Sequence, residues 1–229
     1  MPDSQDILIG AGPDGQPIGQ ALRLANRHGL VAGATGTGKT VTLQRLAEAF
    51  SDAGVAVFAA DIKGDLCGLG APGNPQGKVA ERIASMPWLN HTPQGYPVTL
   101  WDVQGQSGHP LRTTLSEMGP LLLGSLLELT DSQQSALYAA FKVADREGLL
   151  LLDIKDLKAL LSYLRDQPDV LGEDSALMTT GSSQALLRRL AVLEQQGAEA
   201  LFGEPALQLE DLLQLAPDGR GRIHLLDAS

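Results

Sequence analysis

The chain has 229 residues, 43% of them hydrophobic and 19% charged, which suits a globular chain with one large domain or one and a half and excludes a disordered polymer. A formal net charge of −10 excludes a protein that coats nucleic acid over its whole surface, while leaving room for a local basic loop or pore. The single cysteine, Cys67, excludes an intrachain disulfide and fits a reducing compartment.

The opening "MPDSQDILIG" starts acidic and lacks a long apolar run, so it does not read as a signal peptide. The longest greasy stretches, "GPLLLG" and "GLLLLD", are too short to cross a bilayer. These features predict a cytoplasmic protein with no membrane contact. Residues 1–27 hold the apolar run Ile7 to Ile9 and then a Gly/Pro-rich turn. That turn contains "GAGPDG", which matches the G-x-G-x-x-G fingerprint of dinucleotide binding. The match fails on context. Pro13, Pro17 and Gly19 break up the segment where a helix should open, and no Asp or Glu occurs from Gln16 through Ala47 to hold a ribose. It reads as a surface turn.

"HGLVAG" (28–33) reads as a short buried strand running into glycine. From Thr40 a helix is expected, with Leu43, Leu46, Ala47 and Phe50 on one apolar face and Gly54 as its stop. "VAVFAAD" (55–61) is a continuous apolar run ending in a carboxylate, the pattern of a strand covered on both faces. Strand, helix, strand at these lengths form a βαβ unit, which predicts a parallel sheet. A glycine- and proline-rich loop follows, then a helix over Lys78 to Met86 and a third strand at "PVTLWD" (97–102). From 110 to 216 the pattern turns helical. Thr130 and Asp131 are cap candidates, Asp153 starts another helix with Asp156 facing the helix dipole, and a third starts near Ser182 or Ser183. "PDGRGRIHLLDAS" gives a turn and a strand over Arg222 to Leu226. The four histidines are scattered without metal-ligand spacing and read as structural or solvated.

The strand-to-helix turn carries "GATGTGKT", a full match to G-x-x-x-x-G-K-[ST] with an apolar strand predicted before it and an amphipathic helix after it. Gly33, Gly36 and Gly38 let the loop curl round a phosphate without side chains in the way. Ala34, Thr35 and Thr37 complete the cradle, and backbone N–H groups from about Gly36 to Thr40 point inward at the positive helix end. Lys39 can reach the β- and γ-phosphates, and the Thr40 hydroxyl can ligate Mg²⁺. The expected cofactors are ATP and Mg²⁺. A second constellation, "DIKGD", puts Asp61 and Asp65 at the carboxyl end of the next strand, the edge where open parallel sheets bind ligands. The two carboxylates are candidates for the magnesium water or the catalytic step; a strand-end turn with solvated charges is the plainer alternative.

The block "ANRHGLVAGATGTGKTVTLQRLAEAFSDAGVAVFAADIKGDLCGL" resembles the HerA–FtsK group of P-loop ATPases, most closely the bacterial HerA-helicase-like proteins of the YjgR type. The likeness continues through "WDVQGQSGHPLRTTLSEMGPLLLGSLLEL", "ADREGLLLLDIKDL", "LEQQGAEALFGEPAL" and "DGRGRIHLLDAS". It implies an α/β fold: a RecA-like P-loop core with a parallel sheet and a large helical insertion. The segments are then 1–27, a first half of the ATPase core at 28–109, the insertion at 110–216 and a returning core strand at 217–229. It further implies a hexameric ring that moves DNA, or sometimes protein, through its centre, with Lys39 as the P-loop lysine, Thr40 as the magnesium ligand, and Asp61, Lys63 and Asp65 in the acidic strand motif. The sequence departs from the group in one respect: it contains no Asp-Glu pair, the end of the group's Walker B strand. Neither Asp102 nor Asp227 is followed by glutamate, and the group's trans-acting arginine is not identifiable. The chain therefore reads as the N-terminal half of a longer motor, able to bind Mg-nucleotide but hydrolysing it at trace level alone. The competing reading is a nucleotide-gated protein-interaction ATPase, with 110–216 as the partner-binding region; a small-molecule kinase would need an Arg-rich lid, for which there is no candidate.

Overall fold

The computed structural model describes residues 6–89 and 91–228. They fall into two compact units, 6–102 with Ser107–His109 and 208–228, and Val103–Gln106 with Pro110–Leu207.

The first unit opens with strands β1 (Asp6–Ala11) and β2 (Pro17–Ala21), paired antiparallel with a bulge between Leu8 and Gly10. The "GAGPDG" stretch closes β1 with Gly10 and Ala11 and then forms the hairpin's turn. Gly12 N–H donates to the Gln16 carbonyl, and Gly15 takes a left-handed φ of 76°. After a coil comes helix α1 (Lys39–Asp52), closed by Gly54 at φ 75°. Strand β3 (Val57–Asp61), helix α2 (Lys78–Ala84), strand β4 (Val98–Asp102) and the two-residue strand β5 (His109–Pro110) follow.

Helices α3 (Leu115–Leu126), α4 (Asp131–Glu147), α5 (Ile154–Asp166) and α6 (Thr180–Gln195) make the second unit. Their starts are written locally. Thr114 and Glu117 form a capping box at α3, and Thr130 and Gln133 form one at α4. At α5, Asp153 accepts from the Lys155 and Asp156 amides while Asp156 accepts from the Asp153 amide. The α6 cap is Thr179 rather than Ser182 or Ser183, and it accepts from the Ser182 amide at 3.1 Å. Gly119 and Pro120 kink α3, since proline offers no N–H and Gly119 sits at φ 71°. Leu137, Leu157, Leu161, Leu164, Leu186 and Leu190 are fully buried in the centre of this unit.

The chain then returns to the first unit with α7 (Leu209–Leu212) and strand β6 (Ile223–Asp227). The sheet order is β3-β6-β4-β5, and β6 runs parallel to both of its long neighbours. The fold is thus mixed α/β with a parallel sheet core. In register, Val57, Ile223 and Val98 share one sheet face with Ala59 and Leu225, and Ala47, Leu66, Leu69 and Tyr96 pack there. On the other face the Trp101 indole N–H donates to His224 Nδ1 at 3.0 Å, with the two rings stacked. His224 is therefore buried and neutral with its proton on Nε2, which faces the Leu212 backbone without a well-formed hydrogen bond. Burial pushes its pKa down; the Leu212 carbonyl opposes that and the Arg222 charge reinforces it.

One expectation fails. Residues 28–33 form no strand, and Leu30 is 90% exposed. An apolar run becomes a strand only when a neighbour takes its N–H and C=O groups, and among the described residues none lies alongside it. The carboxyl edge survives this correction: Asp61 and Asp102 both align with Asp227 at the ends of adjacent parallel strands. The helical unit ends at Leu207, so α7 belongs with the sheet unit.

Candidate functional site

The loop before α1 is shaped by its glycines. Gly36 and Gly38 take φ of 79° and 94°, values that cost a side-chain-bearing residue heavily, and Gly38 is the N-cap of α1. Gly33 is needed for another reason: a Cβ there would stand 2.5 Å from Thr37 Oγ1. That hydroxyl donates to the Ala34 carbonyl at 2.8 Å, and the Lys39 ammonium donates to the same oxygen at 2.8 Å. One carbonyl thus draws the loop closed and holds the lysine over it. Thr35 lies at the exposed turn between them. The N-cap carries no side-chain hydrogen bond and the first turn of α1 holds no acidic residue, so no carboxylate there competes for the orphan amides. A curled backbone, an ammonium and a bare positive helix end in one place suit a polyphosphate.

The "DIKGD" carboxylates separate into two roles. Asp61, 3% exposed, accepts from the amides of Lys63 (3.3 Å), Gly64 (2.9 Å) and Leu66 (2.9 Å), and from the Cys67 thiol at 3.7 Å. Burial pushes its carboxyl up, but these donors, Leu66 foremost, outweigh burial and hold it below the ordinary carboxylate value. Its visible work is to fold the turn. Asp65 is what that turn presents: its Oδ2 accepts from the Thr40 hydroxyl at 3.1 Å. The Gln44 side-chain amide fixes the Asp65 backbone by donating to its carbonyl at 2.9 Å. Thr40 and Gln44 stand one turn apart on the same side of α1. Reading for chemistry-bearing residue types passes over Gln44; the four-residue spacing from Thr40 is the signal that points to it.

Thr40 and Asp65 are therefore brought together, Lys39 precedes Thr40 at the start of α1 and lies on the Ala34 carbonyl, and Asp61 shapes the turn that carries Asp65. Beside Asp61 a cavity of about 140 Å³ is lined by Lys63, Cys67, Trp101 and Asp227. Among the described residues no group of His, Cys, Asp and Glu could by itself hold a metal ion, and no helix is long and apolar enough to cross a membrane.

Neither curated proteins nor solved structures gave a match to the chain. A family model described as helicase HerA-like C-terminal matches residues 6–229. That span takes in the hairpin, the glycine loop, the acidic turn and the helical unit alike, and the chain belongs to the helicase HerA-like C-terminal family.

Proposed function

We propose that the chain is the nucleotide-binding part of a HerA/FtsK-type motor ATPase, built on a RecA-like P-loop core and acting on DNA as a ring in the cytoplasm. The observation that carries this reading is the glycine loop with Lys39 folded onto its Ala34 carbonyl, next to a Thr40 hydroxyl bonded to Asp65. The residues present fit Mg-ATP. The Lys39 ammonium, lying on a neutral carbonyl, gains by moving to an anionic phosphate. The Thr40 hydroxyl and the Asp65 carboxylate are hard oxygen donors of the kind magnesium takes. In this reading the loop from Gly33 through Gly38 wraps the phosphates, Thr40 holds the metal, and Asp65 orders the water around it. Bound magnesium would neutralise charge on the phosphates. Asp61 acts one step back, by shaping the turn that carries Asp65.

DNA as substrate rests on family kinship, because a fold or family alone does not fix the substrate. One observation favours a protein partner instead: Leu121, Leu122 and Leu126 on α3 are 67%, 62% and 49% exposed, in a chain of net charge −10. Hydrolysis assays on protein containing this chain separate the two. DNA-stimulated phosphate release that Lys39→Ala abolishes supports the motor. Lack of stimulation, with a protein partner retained only in ATP, supports the gated-interaction reading. For binding itself, Lys39→Ala removes a charge-assisted contact of about 1.5–3 kcal/mol, so Mg-ATP affinity falls at least about tenfold while the melting temperature holds. Unchanged affinity would refute the phosphate assignment.

A further inference from the structure

A groove of about 1180 Å³ runs between α1, β1 and α2. Its walls include Val41, Thr42 and Arg45 of α1, Val79 of α2, and Met86 and Trp88 just past it. Val41 and Thr42 follow Thr40 directly along the helix, so the groove is continuous with the end of α1 that carries the phosphate loop. Val41 and Val79 are 64% and 59% exposed, apolar side chains left uncovered inside a concave opening. Openings of this size with mostly apolar walls are where small organic molecules bind.

Several polar atoms of these walls are already paired. Arg45 donates to Glu48 at 3.2 Å and to the Leu8 carbonyl at 3.3 Å. The Thr42 hydroxyl donates to the Gly38 carbonyl at 3.0 Å. The Trp88 indole N–H donates to the Gly15 carbonyl at 3.1 Å, which pins the ring to the hairpin turn. Asn74, Gln76, Lys78, Arg82 and His91 also line the opening, and among them runs carbon surface that includes the Trp88 ring held by its bond to Gly15. A nucleotide has the matching parts: a charged chain that must lie on the loop and a flat, weakly polar ring that stacks on aromatic and aliphatic surface.

Resting on the phosphate-loop reading, we propose that this groove is the nucleoside subsite, holding the base by contact with Val41, Val79, Met86 and Trp88. The triphosphate supplies the charge-based part of binding, and the groove supplies the preference for a nucleotide over bare polyphosphate.

The test compares Mg-ATP with Mg-tripolyphosphate by titration calorimetry on the whole chain. The wild type is expected to bind ATP roughly tenfold or more tightly than tripolyphosphate, the scale of one base–aromatic contact. Val79→Asp, at an exposed helix position, and Trp88→Ala should bring ATP down to the tripolyphosphate level while leaving tripolyphosphate unchanged. Trp88→Phe should keep most of the preference, which separates stacking from loss of the bond to Gly15. Equal wild-type affinity for the two ligands, or a preference that survives Val79→Asp and Trp88→Ala, overturns the subsite. Tripolyphosphate that fails to bind, or binds equally well to Lys39→Ala, overturns the phosphate-loop reading and the subsite with it.

Discussion

The helical unit and the sheet unit solve burial differently. In the helical unit, leucines from α3, α4, α5 and α6 close on one another, and Leu115, Leu137, Leu161 and Leu186 have no exposure at all. In the sheet unit the buried cluster is small, centred on Ile223 and Leu225, while Val41, Leu43, Phe58 and Ile62 remain 47% exposed or more. The unit that carries the phosphate loop is the one with the thin core. Apolar burial is the main stabilising term in folding, so the sheet unit leans more on directed polar contacts. Ser51, fully buried, donates to the Gly221 carbonyl at 2.6 Å, Asp61 gathers four donors, and Trp101 holds His224.

This contrast can be broken at several points. The largest effect is expected at Leu161→Ala, which should cost about 2–5 kcal/mol in chemical denaturation through a cavity the closed helices cannot fill. Leu43→Ala on half-exposed α1 should cost well under that, below about 1 kcal/mol; equal losses would erase the difference between the units. Next comes Asp61→Ala, which strands the amides of Lys63, Gly64 and Leu66 and should cost about 1–3 kcal/mol. Asp65→Asn should leave stability nearly untouched and instead raise the magnesium concentration needed for nucleotide binding. If the two substitutions gave the same melting shift and the same magnesium dependence, their division of labour would be wrong.

The smallest effect is a pH dependence confined to the sheet unit. The folded pKa of His224 lies below its ordinary value near 6.5, so the folded state binds the proton less readily than the unfolded chain. Its contribution is complete above that pH, drains away as pH falls below it, and levels off under the folded pKa. Asp61 behaves alike but lower, losing its contribution as pH falls below the ordinary 3.8 and through its own depressed value. Denaturation midpoints should therefore fall from pH 7 to pH 5, and His224→Leu should flatten that slope. A slope that persists in the variant would assign it to other groups.

Much of this was legible in the sequence because it is locally encoded. The glycine loop, α1, β3, β4 and β6 follow from periodicity and spacing, and Thr130 and Asp153 announce their helices through side chains that bond within three residues. β2 was missed because Pro17 and Gly19 speak against a strand, yet an edge position in a two-stranded hairpin tolerates both. The 28–33 segment has strand-like residues but no ladder partner among the described residues, and pairing is not a property of one segment. The spacing of "DIKGD" brought two carboxylates to a strand end but could not sort them. Which one turns inward depends on the Asp61 turn, with Gly64 at φ 71°, and that is a three-dimensional outcome. Sheet order and the Trp101–His224 contact join residues far apart in the chain and leave no local mark.

The place of β6 sets a timetable for folding. β6 sits between β3 and β4 but follows both in sequence, with the whole helical unit made first. Until residues 223–227 leave the ribosome, β3 and β4 lack the strand that pairs with both, so the parallel ladder cannot form. The helices need no such wait, since their caps and contacts are mostly near in sequence and contacts of that kind form fast. Synthesis from the N-terminus thus finishes the inserted unit while its host is still open. The Asp61 turn that presents Asp65 to Thr40 hangs from the end of β3, so the phosphate site waits on β6, and nucleotide can reward only a chain in which that strand is already in place.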